Sequence, residues 1–137
     1  MRRGPLLLVL MLAPLGPARA GEGPAMEAPE IVESWGRVMF CRSAYRNPLN
    51  AGRVYAYDTE ECARAERFVA EAAAAHPDPA RLRSAARERM DRIHYATPDI
   101  AAVLRSCREQ CRALADRQQA TAARPEATPG SPGDEEK

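Results

Sequence analysis

Four cysteines, Cys41, Cys62, Cys107 and Cys111, constrain this chain more than any other feature. Each falls on the apolar stripe of an amphipathic segment. Ile31, Trp35, Val38, Cys41 and Tyr45 recur at the spacing of one helical face, as do Cys62, Ala65, Val69, Ala72 and His76. A third stripe is Ile100, Val103 or Leu104, Cys107, Cys111 and Leu114. All four sulfurs are therefore expected to point into a core, where paired cysteines act as cross-links.

Four cysteines allow three pairings. Cys107 and Cys111 sit one turn apart on one helix, with Cβ atoms roughly 5–6 Å apart, whereas a disulfide needs about 3.5–4.5 Å. They do not suit each other, so their helix is tied to two neighbours. Cys62 follows closely on a loop at 47–57, and Cys41 lies slightly deeper along the helix before it. Matching depths gives a nested pair, Cys62–Cys107 and Cys41–Cys111.

The remaining elements follow from caps and stops. The first helix covers about 29–46 and stops at Asn47-Pro48, because proline disfavours helix at the residue before it. Asp58-Thr59-Glu60-Glu61 reads as a capping box that starts the second. Asp78-Pro79 starts a third, with the stripe Leu82, Ala86, Met90 and Ile93, and Thr97-Pro98-Asp99 starts a fourth. Residues 53–57 are the one stretch with a hint of extended chain. The fold class is all-α: a small up-down bundle of four short amphipathic helices stapled by two disulfides. Residues 30–117 form the helical domain, close to the size at which a core alone is marginal and covalent staples help.

The two ends are of a different character. Residues 1–20 carry Arg2-Arg3, an apolar run from Leu6 to Leu15 and Ala18-Arg19-Ala20, the three parts of a cleavable signal peptide. Residues 21–29 read as a flexible N-terminal segment. Residues 118–137, rich in Pro, Gly, Ser, Thr and Ala with an acidic finish, read as a disordered tail. The expected location is the bacterial periplasm or the cell exterior, with no stable membrane anchor after cleavage. Arginine accounts for 19 of the 20 basic residues, with Lys137 the one lysine, a skew that reads as GC-rich bacterial codon usage. The formal charge is +1 for the whole chain; removing Arg2, Arg3 and Arg19 with residues 1–20 makes it −2. A nearly neutral chain argues against nucleic acid as a partner.

Three chemistries merit consideration. Cys107 and Cys111 with Met90 and His94, two pairs at i, i+4, form a set suited to Cu or Zn and make periplasmic metal handling the alternative function. Arg81, Arg83, Arg87, Arg89 and Arg92 surround that set with positive charge and oppose it. Catalysis needs a nucleophile, base and orienting group together. His76 and His94 are the two histidines, and neither forms such a set, so no enzyme and no cofactor is expected. The loop instead gathers Tyr45, Arg53, Tyr55 and Tyr57, residue types enriched at binding hot spots. The chain is thus expected to be a non-enzymatic accessory protein of the chaperone, inhibitor or immunity-binder type, whose partner is another protein.

Overall fold

A computed structural model describes residues 25–96 and 99–124, with the side chains of 95 and 96 excepted. Four helices run up, down, up and down: α1 Ala28–Arg46, α2 Ala56–Ala74, α3 Pro79–Ala96 and α4 Ile100–Ala122. No strand occurs among the described residues. The leader expected at 1–20 and the segment 125–137 lie outside them.

Aspartate side chains satisfy the first amides of α3 and α4, while Pro29 at the start of α1 leaves one fewer amide to satisfy. Asp78 Oδ1 accepts from the N–H of Arg81 at 3.0 Å, and Asp99 Oδ1 from those of Ala101 and Ala102 at 2.9 and 3.4 Å. After α1 the chain turns through a short 3-10 segment, Pro48–Arg53. There the Asn47 carboxamide accepts from the N–H of Leu49, and buried Asn50 donates to the Ala44 carbonyl at 2.9 Å. Of the stretch expected to be extended at 53–57, Val54 and Tyr55 alone have extended backbone and form no strand; Arg53 ends the 3-10 segment, and Ala56 and Tyr57 already belong to α2. Helix α2 starts at Ala56, and Asp58 sits inside its first turn rather than capping it. Its carboxylate reaches back to the N–H of Tyr55 at 3.1 Å.

The core is the inner face of α1, α2 and α4, with Ile31, Val38, Val69, Cys62 and Cys111 fully buried. Phe68, beside Val69, adds a ring that the simple stripe on α2 missed. Two boundaries need correction. Residues 25–29 are not loose: Met26 is buried in the core, and its carbonyl lies 2.9 Å from His76 Nε2 at the end of α2. The tail does not begin at 118, since α4 continues to Ala122. Gln118, Gln119 and Ala120 are good helix formers, so the helix outlasts its apolar face. Ile100, placed on the stripe by its spacing, stands exposed in the first turn of α4.

Helix α4 contacts both α1 and α2, making a three-cornered core, and α3 packs on α1 outside that triangle. Although consecutive in sequence, α3 and α4 make almost no contact among the described residues. Helices α1 and α3 run the same way, with Glu33 beside Arg89 and Phe40 beside His94. They approach at Gly36, where an added Cβ would lie 2.8 Å from the Ala86 carbonyl and 2.8 Å from the Arg89 Cβ.

The cross-links are Cys41–Cys107 and Cys62–Cys111, with Cα atoms 5.5 and 4.7 Å apart. They interleave rather than nest, which corrects the expected Cys41–Cys111 and Cys62–Cys107. The reason is the early start of α2. Cys62 is six residues into α2, while Cys41 is five residues from the end of α1. Moving the N-cap from Asp58 to Tyr55, three residues earlier, sinks Cys62 by about 4.5 Å, and the order of depths reverses. The shallower Cys107 then meets Cys41, and the deeper Cys111 meets Cys62.

Gly36→Ala tests the α1–α3 contact. Alanine in a helix normally gains about 1 kcal/mol over glycine, but here the new methyl meets backbone. The variant is expected to lose about 1–3 kcal/mol instead, read as a lower denaturant midpoint. A stabilised variant would contradict the close approach.

Candidate partner-binding site

The turn between α1 and α2, with the facing side of α4, forms the candidate site. Its foundation is a buried carboxylate. Asp58 is 1% exposed and continues the apolar stripe of α2 one turn before Cys62. Its Oδ2 accepts from Arg108 Nε at 2.9 Å, across from α4. Arg108 Nη2 donates to the Arg53 carbonyl at 2.7 Å. One guanidinium thus joins α4, the loop and the first turn of α2. Spacing puts Arg108 off the apolar stripe of α4, yet its guanidinium reaches across to α2; Glu109 faces out, and Gln110 is half-buried, bonded to Ser106 at 2.8 Å. The one local signal for the ion pair was an aspartate on a buried stripe, which requires a cation or hydrogen-bond donors.

Above this pair stand two exposed rings. Tyr55 and Tyr57 are 60% and 48% exposed, and stack with centroids 5.8 Å apart and planes 9° from parallel. The Arg108 guanidinium lies 5.2 Å from the Tyr55 centroid. Ring stacking contributes about 0.5–1.5 kcal/mol and an exposed cation–π contact about 0.5–1 kcal/mol. Both favour this arrangement of the two rings. Leu49, 89% exposed on the same turn, is the most exposed large apolar residue among those described.

Of the four predicted contact residues, the loop presents three. Arg53, Tyr55 and Tyr57 are exposed, but Tyr45 is not part of the surface. It is buried beneath the loop, because the stripe of α1 carries it inward. Its hydroxyl has no hydrogen-bond partner among the described residues. Burial, reinforced by the negative charge of Asp58, pushes its phenol up to about 12.

The metal alternative fails on the sulfurs. Cys107 and Cys111 are both in disulfides, so neither offers a thiolate. Met90 is half-buried on α3, and the His94 ring sits edge-on to Phe40 at 6.4 Å. Among the described residues no cluster of three histidine, cysteine or acidic side chains is placed to hold a metal ion.

A second charged cluster lies on the far side of α1. Glu33 accepts from Arg89 Nε at 2.6 Å and Nη2 at 3.1 Å, and also pairs with Arg37. The Arg89 hydrogen bonds, and then those of Arg37, hold the Glu33 carboxyl down at about 2 against the opposing effect of burial. Elsewhere Arg117 pairs with Glu30 at 2.6 Å, pinning the far end of α4 to the start of α1.

No family model, no curated protein and no solved structure matches this chain. Among the described residues no helix is long and apolar enough to cross a membrane. The two disulfides fit an oxidising, extracytoplasmic environment.

A double-mutant cycle tests the Asp58–Arg108 pair. Arg108→Ala leaves a fully buried carboxylate without its cation. Breaking a wholly buried pair costs about 3–5 kcal/mol, and the partial exposure of Arg108 brings the expected loss to about 2–3 kcal/mol. Adding Asp58→Asn should recover part of that loss in the denaturant midpoint. Strictly additive losses would show that the two side chains do not act together.

Proposed function

We propose that this is an exported, disulfide-stapled, non-enzymatic protein that binds another protein through the α1–α2 turn. The contact surface is Tyr55 and Tyr57 with the Arg108 guanidinium, flanked by Arg53 and Leu49. The observation that carries this reading is the exposed tyrosine stack with an arginine against it. Large apolar area with polar tips is the composition of interface anchors. Rings held in advance lose little rotamer freedom when a partner docks, which lowers the cost of association.

The leader-like residues 1–20, the pair of cystines and the arginine-for-lysine skew support a bacterial periplasm or the cell exterior as the place of action. An accessory role such as chaperone, inhibitor or immunity-type binder suits a small rigid body whose exposed aromatics lie on one turn.

The test is co-purification of the oxidised protein from its host, followed by titration of the recovered partner. Tyr55→Ala with Tyr57→Ala should weaken that complex roughly thirtyfold, as loss of a 2 kcal/mol hot spot would. Helical circular dichroism should be unchanged, because both rings project into solvent. Undiminished binding with an intact fold would rule out the turn as the contact surface.

A further inference from the structure

The seam between α1 and α3 opens on one side into two hollows that share a charged middle. One, of about 770 Å³, has Val32 of α1 and Leu82 and Ala85 of α3 in its walls. The other, of about 390 Å³, is the cleft left where α3 and α4 part. Phe40, Ile93 and Val103 line it beside the Cys41–Cys107 cystine. Arg89 borders both hollows. It shares the Glu33 carboxylate with Arg37, which borders the second hollow.

The charge of this seam is unbalanced. Arg37, Arg81, Arg89 and Arg92 border it against Glu33 and Asp78. Asp78 is engaged with the N–H of Arg81 at the start of α3, and Glu33 is divided between two guanidiniums. Each guanidinium carries five N–H donors, so among the described residues more donors border the seam than Glu33 and Asp78 can take up. The seam therefore presents apolar surface, excess positive charge, then apolar surface again.

We infer that this seam is a docking groove for an acidic amphipathic helix of a second protein. Val32 and Phe40 are eight residues apart on α1, about 12 Å along its axis. A partner helix lying along the seam would place apolar side chains at i and i+7 or i+8 in the two hollows. A glutamate or aspartate at i+3 or i+4 would then face Arg37 and Arg89. Helices recognised in grooves use this anchor spacing, and an Arg–carboxylate contact fixes their register. The groove lies apart from the tyrosine turn, so the proposal stands independently of that reading.

The test is selection of displayed helical peptides on the oxidised full-length protein. Enriched peptides are expected to carry the apolar i, i+7/i+8 pair with an acid between. Arg37→Glu should weaken them roughly tenfold, and replacing their acid by lysine should restore binding to that variant. Arg37 is solvent-exposed, so its circular dichroism should match the parent; Ala85→Glu, which puts a negative charge into the other hollow, should also weaken binding. Selection against Tyr55→Ala/Tyr57→Ala protein should enrich the same peptides. Winners with no acid preference, or winners indifferent to Arg37→Glu and Ala85→Glu, would overturn the proposal. So would an absence of enrichment while anionic phosphatidylglycerol vesicles bind the groove, which would make it a lipid site.

Discussion

One helix held to two others by sulfurs a single turn apart is the constraint on which the remainder of this molecule rests. Cys107 ties α4 to α1, and Cys111 ties it to α2. Because the two bonds leave α4 on adjacent turns, they fix its rotation and height against both partners. A disulfide of this loop length is worth about 2–4 kcal/mol, a large part of the 5–15 kcal/mol that stabilises a domain. The two loops overlap, so their effects do not simply add.

The site follows from that placement. With α4 fixed, Arg108 lies one residue beyond Cys107 and reaches Asp58 one turn before Cys62. The ion pair then holds the Arg53 carbonyl and lies against Tyr55. Aromatic side chains on an otherwise short connecting turn become a fixed surface in this way. The same cross-links leave α3 without a covalent tie among the described residues. It docks on α1 through Gly36 and Ala86 and stands clear of α4, which opens the cleft.

Much of the fold was legible in the sequence, because apolar stripes with an N-cap are local signals. Asp78 and Asp99 mark their helices correctly, and the stripes of α1 and α4 named most of the core. Non-local facts were harder to read. Asp58 followed by Thr59, Glu60 and Glu61 satisfies a capping pattern one turn late, and that displacement reversed the depths of Cys41 and Cys62. Arg108 lies off the apolar stripe of α4, and nothing local marks its pairing with Asp58, 50 residues away in sequence. The site was half legible: residue type identified Tyr55, Tyr57 and Arg53, but the stripe that includes Tyr45 should have removed it from the surface.

The connectivity is the central claim, and trypsin can read it directly. Arg108 separates the two cysteines of α4, so cleavage gives SCR (106–108) and EQCR (109–112) as distinct peptides. The others are VMFCR (38–42) and VYAYDTEECAR (54–64). Mass spectrometry of the non-reduced digest should find VMFCR joined to SCR and VYAYDTEECAR joined to EQCR. VMFCR joined to EQCR would contradict the account, because α4 would then sit at a different height against α1 and Arg108 could not reach Asp58 as described.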